Sequence, residues 1–199
     1  MTKWQDVSPK QADFGYILTN KRKHMKLVLL LLIMSITVFA QIHVPENFQA
    51  EFVQTITNPK KKVITYSGKV YFSNKNRLKW EYLSPTKKEV CTDGAEVLVV
   101  DHDLEQVSNY LINKGFDLAE ILKKAAPYKD KKSVFIAKYE DKEYTIQVDA
   151  KGQLARVAYY DDLDNTVLIV FKHMKYGKGD LPLDHIRCDY PRDYDLIEG

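Results

Sequence analysis

The side chains with most potential for chemistry are two acidic clusters, the histidines and a pair of cysteines. Asp101-His102-Asp103 and Tyr160-Asp161-Asp162-Leu163-Asp164 carry enough carboxylates to suggest a hard cation. Neither has a loop spacing that would wrap an ion in six or more oxygens, so both read as exposed turns. His173 falls on a predicted strand and His185 beside one, with no second histidine at helical spacing and no HExxH arrangement, which makes a zinc site an unsuitable reading. There is no G-x-S-x-G elbow, no phosphate-binding P-loop and no dinucleotide fingerprint. The expectation is a protein with no catalytic residue, no metal and no cofactor.

The elements that would position these groups are mostly strands. In Tyr66–Gly94, Val70, Phe72, Leu78, Trp80 and Tyr82 alternate with Lys69, Tyr71, Arg77, Lys79 and Glu81, a period of two with one apolar and one wet face. Ser73–Asn76, Ser84-Pro85 and Asp93-Gly94 supply reversals, so the stretch reads as a meander of antiparallel neighbours. An aromatic face of this kind is first of all core. Ahead of it, Phe48, Ala50 and Phe52 alternate with Gln49 and Glu51 in a first strand. Behind it come a short strand at Val97–Val100, a turn at Asp101–Asp103 and a strand at Leu104–Leu111.

The period then changes. Leu118, Ile121, Leu122 and Ala125 recur at i, i+3, i+4 and i+7, with Glu120, Lys123 and Lys124 opposite, predicting an amphipathic helix over Asp117–Ala126. Asp117 with Glu120 resembles a capping box at its start, and Pro127 stops it. Strands resume at Ser133–Tyr139, Lys142–Asp149, Gln153–Asp161, Val167–Tyr176 and Asp184–Tyr190, joined mostly by hairpin-length turns. Around ten antiparallel strands with one helix would either close into a barrel or stop as a strongly curved sheet.

Residues 1–24 are polar and show no sustained period, and Met25 is a candidate for the true start. The apolar run Leu27–Phe39, with Val38 and Ala40 at a small-residue cleavage site, reads as a secretory signal peptide spanning 25–40. It is shorter than the roughly 20 residues a bilayer span needs. Gln41, not cysteine, follows, so the exported chain, residues 41–199, should be a single domain free in the periplasm without a lipid anchor. Six of the 30 Lys+Arg and two of the 27 Asp+Glu precede Gln41, leaving 24 against 25. Such a balance argues against nucleic-acid binding, although KVYFSNKNRLKW interleaves basic and aromatic residues as single-strand binders do. Cys91 and Cys188 both lie in the exported part on predicted strands. An oxidising compartment allows a disulfide, and two buried thiols are the alternative, because spacing does not give the Cα separation a bridge needs.

SGKVYFSNKNRLKWEYLSPTKKEVCTDG resembles the most recognisable segment of the LolA family, the periplasmic outer-membrane lipoprotein carriers. A Gly-x-Val-x-Phe strand is followed by a turn, an aromatic strand ending Trp-x-Tyr, a proline and an Asp-Gly hairpin. Phe48, Ala50, Phe52 and Gln54, and the ending LPLDHIRCDYPRDYDLIEG, extend the resemblance over nearly all of the chain after residue 41. It implies an α+β, mostly antiparallel fold: an open, strongly curved half-barrel with a covering helix in its concave side. It also implies a chaperone that shields lipoprotein acyl chains in a hydrophobic cavity on the way from inner to outer membrane. Its partners would be acylated lipoproteins, the inner-membrane lipoprotein-releasing ABC transporter and, if present, an outer-membrane acceptor, with the carrier a monomer that binds no nucleic acid.

In that picture Phe52, Val70, Phe72, Leu78, Trp80 and Tyr82 line the cavity, and Leu118, Ile121 and Leu122 cover it. Two features depart from the family. Only Gln41–Asn47 precede the first strand, where the better-known carriers have a helix, and Asn74-Lys75 replaces an Arg-Pro pair whose arginine latches the covering helices. Asn74 and Lys75 are therefore the latch candidates here, without the guanidinium fork. The alternative function is a related half-barrel that binds another lipid or senses a protein partner, since a fold does not dictate its ligand.

Overall fold

The computed structural model describes residues 42–73, 77–111 and 117–198. The polar extension, the apolar run with its cleavage site, and the latch candidates Asn74 and Lys75 lie outside them. All described residues belong to one compact unit, Ala40–Gly199.

Among the described residues twelve strands form a single sheet. They are β1 (Asn47–Thr57), β2 (Val63–Ser73), β3 (Arg77–Ser84), β4 (Lys88–Thr92), β5 (Glu96–Asp101) and β6 (Gln106–Leu111), then β7 (Ala126–Tyr128), β8 (Lys131–Tyr139), β9 (Lys142–Val148), β10 (Leu154–Tyr160), β11 (Thr166–Gly177) and β12 (Asp195–Glu198). Two short helices, α1 (Leu118–Lys123) and α2 (Leu183–Ile186), are the helices among the described residues. The strand order is β12-β6-β5-β4-β3-β2-β1-β11-β10-β9-β8-β7, so the sheet is open, with β12 and β7 at its edges. Every pairing is antiparallel except β12 with β6. The two meanders are joined by β1, which pairs with β2 on one side and β11 on the other.

Register puts the predicted apolar positions on one face, here called inner. Phe48 opposes Phe72, Ala50 opposes Val70 and Phe52 opposes Gly68 across β1 and β2. Phe72, Val70 and Gly68 in turn oppose Leu78, Trp80 and Tyr82 on β3. The face continues through Phe171, Ile169 and Val167 on β11 to Val157, Ile146 and Phe135 on β10, β9 and β8. The sheet curls toward it. Trp80 and Phe171 stand on strands three positions apart, about 14 Å in a flat sheet, yet their ring centroids are 6.1 Å apart.

Helix α1 is shorter than its periodicity predicts. Asp117 caps it by accepting from the Glu120 amide at 3.0 Å. The second half of the capping box does not form, because the Glu120 carboxylate pairs instead with Lys123 at 2.6 Å. The helix ends at Lys123, and Ala126 with Pro127 already belongs to β7. No helix precedes β1 among the described residues; Ile42, 5% exposed, enters the core from a segment without regular structure.

The predicted last strand, Asp184–Tyr190, is not a strand. Pro182 leads into α2, and residues after Ile186 run without regular structure across the outer face until β12 joins the β6 edge. Side chains of the sheet take over the role of ladder bonds. Lys79 Nζ donates to the Arg187 carbonyl at 3.0 Å, and the Asp189 amide donates to Glu89 Oε2 at 3.2 Å. Cys188 is thus off any strand and is bonded to Cys91 of β4, with their Cα atoms 5.7 Å apart. Lys79, expected on a wet face, is 7% exposed and pairs with Glu89 at 2.9 Å beneath this segment. Cys91, Val100, Val107 and Ile186 are buried on this outer side, apart from the main core.

Candidate functional site

Nothing in the acidic clusters gathers into a metal centre. Asp161 Oδ1 accepts from the amides of Leu163 and Asn165, and Asp101 Oδ1 from those of Asp103 and Leu104, so each carboxylate closes its own turn. His173 sits at a positive φ of 52° on β11, its Nδ1 3.0 Å from Glu51 at the surface. His185 lies within α2, its ring 5.8 Å from that of Tyr71. Glu89, Cys91 and Cys188 approach one another as ligands would, but the disulfide occupies both sulfurs.

The inner face is where the large side chains converge. Phe52 makes edge contacts with Trp80 at 4.8 Å and Tyr82 at 5.1 Å between centroids, Tyr66 meets Tyr82 at 5.8 Å, and Phe48 stacks on Phe72 at 5.2 Å. Gly68 makes the Phe52 contacts possible. A Cβ there would run into the Glu81 carbonyl and lie 3.0 Å from the Phe52 ring. The glycine of the Gly-x-Val-x-Phe stretch is thus the price of packing two aromatic rings against the neighbouring strand.

Of the predicted cavity residues, Phe52, Val70, Phe72, Leu78 and Trp80 are buried in one apolar cluster, and Tyr82 packs against it. Leu118, Ile121 and Leu122 of α1, at 2%, 0% and 2% exposure, belong to the same cluster. The helix lies nearest β8 rather than the Trp80 strand, and Lys124 just beyond it sits 4.8 Å over the Tyr139 ring. Half of the face was not singled out from sequence. Phe135, Ala137, Tyr144, Ile146, Val157, Ile169 and Phe171 come from the second meander, where period-two alternation carried the signal but no aromatic motif drew attention to it. Burial pushes the Tyr82 hydroxyl well above its ordinary pKa, with Tyr159 and Tyr66 adding to the effect, so it remains a donor; it bonds Gln54 Oε1 at 3.1 Å. Tyr159 is likewise pushed up to about 12 by burial and then by Tyr144 and Asp161.

An apolar face on a curled, open sheet, with the buried stripe of α1 in the same cluster, offers burial without directional chemistry. The family described as "Outer membrane lipoprotein carrier protein LolA" matches residues 45–180. This chain belongs to the LolA family. An outer-membrane lipoprotein carrier protein of Campylobacter jejuni is 33% identical over 153 residues, 76% of this chain and 86% of that protein. One of Wolinella succinogenes is 30% identical over 127 residues, 64% of this chain and 73% of that protein. A conserved protein of Thermus thermophilus shares the fold with a TM-score of 0.50 at 13% identity, over 78% of this chain and 92% of that one. The LolA match stops before α2, so Ile186, Cys188 and β12, which dress the outer face, lie beyond the matched residues.

Proposed function

We propose that this chain is a periplasmic lipoprotein carrier, whose inner face shelters the acyl chains of lipoproteins between their release from an inner-membrane ABC transporter and delivery to the outer membrane, to an acceptor where one exists. The observation that carries this reading is the placement of α1. Its buried stripe fills the same apolar cluster as Phe52, Val70, Phe72, Leu78 and Trp80. Its hold is modest: three Leu or Ile side chains contribute roughly 5–9 kcal/mol at about 1.5–3 kcal/mol each. Two or three acyl chains, at about 0.8 kcal/mol per methylene, bring tens of kcal/mol of burial and outweigh it. Cargo therefore displaces the helix, and the helix closes the face again on release. An apolar surface tolerates many proteins that share one lipid, and no reacting group is required.

The test is to tether the helix. Lys124→Cys and Tyr139→Cys, joined by a short cleavable thiol crosslinker, hold α1 to β8. Uptake of a synthetic triacylated lipopeptide should be lost in the crosslinked protein and restored on cleavage, with the parent protein treated identically as control. Uptake by the folded, crosslinked protein equal to that of the parent would make α1 plain core and remove the support for this reading.

A further inference from the structure

At one end of the inner face a groove of about 320 Å³ opens between Gln54, Tyr66, Tyr82, Thr86 and Lys88. Its apolar side, Ile56 and Val90, packs against the main core together with the Tyr82 ring, so the groove is continuous with the cluster under α1. Its polar groups are mostly donors without work. Gln54 accepts from Tyr82 through Oε1, but its amide nitrogen has no hydrogen-bond partner among the described residues, nor have the hydroxyls of Tyr66 and Thr86. Gln54 and Tyr66 oppose each other across β1 and β2, so their side chains stand side by side at the groove. Among the described residues no carboxylate lines the groove. The one cation, Lys88, is already neutralised by Asp101 at 2.9 Å.

We propose that this groove is the subsite for the ester-linked glyceryl head of the lipoprotein's lipid anchor, with Gln54 and Tyr66 donating to its ester carbonyls while the chains run on along the inner face. This deepens the carrier reading and rests on it. The chemistry favours an uncharged head: unpaired N–H and O–H groups match carbonyl acceptors, whereas a phosphate would require a free cation that the Lys88–Asp101 pair does not supply. The site also explains how a carrier would distinguish an acylglyceryl cysteine from a bare fatty acid or a hydrocarbon tail, which the apolar face alone treats alike. Each neutral hydrogen bond made there is worth about a factor of two to ten in affinity.

The experiment compares two synthetic triacylated cysteinyl lipopeptides that differ only in having ester-linked or ether-linked glyceryl chains, the latter without carbonyl acceptors. Wild-type protein should bind the ester form roughly tenfold more tightly, for two bonds of that strength. Gln54→Leu and Tyr66→Phe should each reduce the ratio of ester to ether affinity, and the double variant should bring that ratio to one. Equal binding of the two forms by wild type, or a preference that survives the double variant, would overturn the subsite and leave the carrier reading standing. Binding of neither lipopeptide would overturn the carrier reading, and the subsite with it. Capture of phosphatidylglycerol from vesicles with the same dependence on Gln54 and Tyr66 would reassign the groove to membrane phospholipid and contradict the proposal.

Discussion

Removing the carboxylate charge of Glu89 should destabilise the protein far more than loss of a surface ion pair. The Lys79 and Glu89 side chains are 9% and 15% exposed and lie 2.9 Å apart under the C-terminal segment. Their remaining valences are used as well: Lys79 also donates to the Arg187 carbonyl, and Glu89 accepts from the Asp189 amide. In Glu89→Gln the shape and one acceptor persist, but a buried ammonium loses its counter-charge. Breaking a buried pair costs about 3–5 kcal/mol, against about 0–1 kcal/mol for an exposed one. Lys79→Met should cost less, because Glu89 keeps its amide donor and has His102 3.9 Å away. The double variant should recover most of the loss, since no unpaired charge is left buried. Urea unfolding of the oxidised wild type, both single variants and the double variant gives the coupling directly, provided the m-values agree. A cost for Glu89→Gln below about 1 kcal/mol, with no coupling to Lys79→Met, would mean that the pair is hydrated, refuting the burial argument.

Other outcomes follow from the same geometry. Gly68→Ala places a Cβ against the Glu81 carbonyl and the Phe52 ring and should cost at least about 1–3 kcal/mol by denaturant unfolding, unless β3 shifts freely. Replacing Cys91 and Cys188 by serine opens a 97-residue closure and should cost about 2–5 kcal/mol; amide exchange should then rise first in residues 187–198, and unchanged exchange there would show that the disulfide does not hold the segment down. Alkaline stability should fall from about pH 10 upward, because Tyr82 and Tyr159 keep their protons longer folded than unfolded, Tyr159 to about 12. That stability is fully present below the unfolded pKa and is lost as pH rises through the folded values, so Tyr82→Phe and Tyr159→Phe should flatten the decline in a series of unfolding curves taken at increasing pH.

Period-two alternation made the inner face of β1, β2 and β3 readable, because aromatic residues mark it and the Phe52, Val70 and Trp80 positions come together in the sheet as strand pairing requires. The helix was legible as a stripe of Leu118, Ile121 and Leu122, but its neighbour was not, since periodicity says which side is apolar and nothing about the partner strand, which is β8. The outer face escaped entirely. Lys79 alternates like a solvent-facing residue and becomes buried only because a segment more than a hundred residues later crosses it. The expected strand Asp184–Tyr190 instead holds most of α2 and a stretch without ladder partners, where Lys79 donates to the Arg187 carbonyl and Glu89 takes the Asp189 amide. Such long-range substitutions of side-chain bonds for ladder bonds leave no local pattern. The donor-rich groove at Gln54 and Tyr66 depended on pairing register and on which of its polar groups find partners, neither of which alternation reveals.

The central claim, that acyl chains lie against the inner face, is tested most directly by the fluorescence of Trp80 in a Trp4→Phe chain, where it is the only tryptophan. A triacylated lipopeptide carrying brominated chains should quench Trp80 strongly at stoichiometric ratio, while the same lipopeptide with unbrominated chains should not. Binding confirmed by sedimentation, with Trp80 left unquenched by the brominated chains, would place the lipid elsewhere and contradict the account.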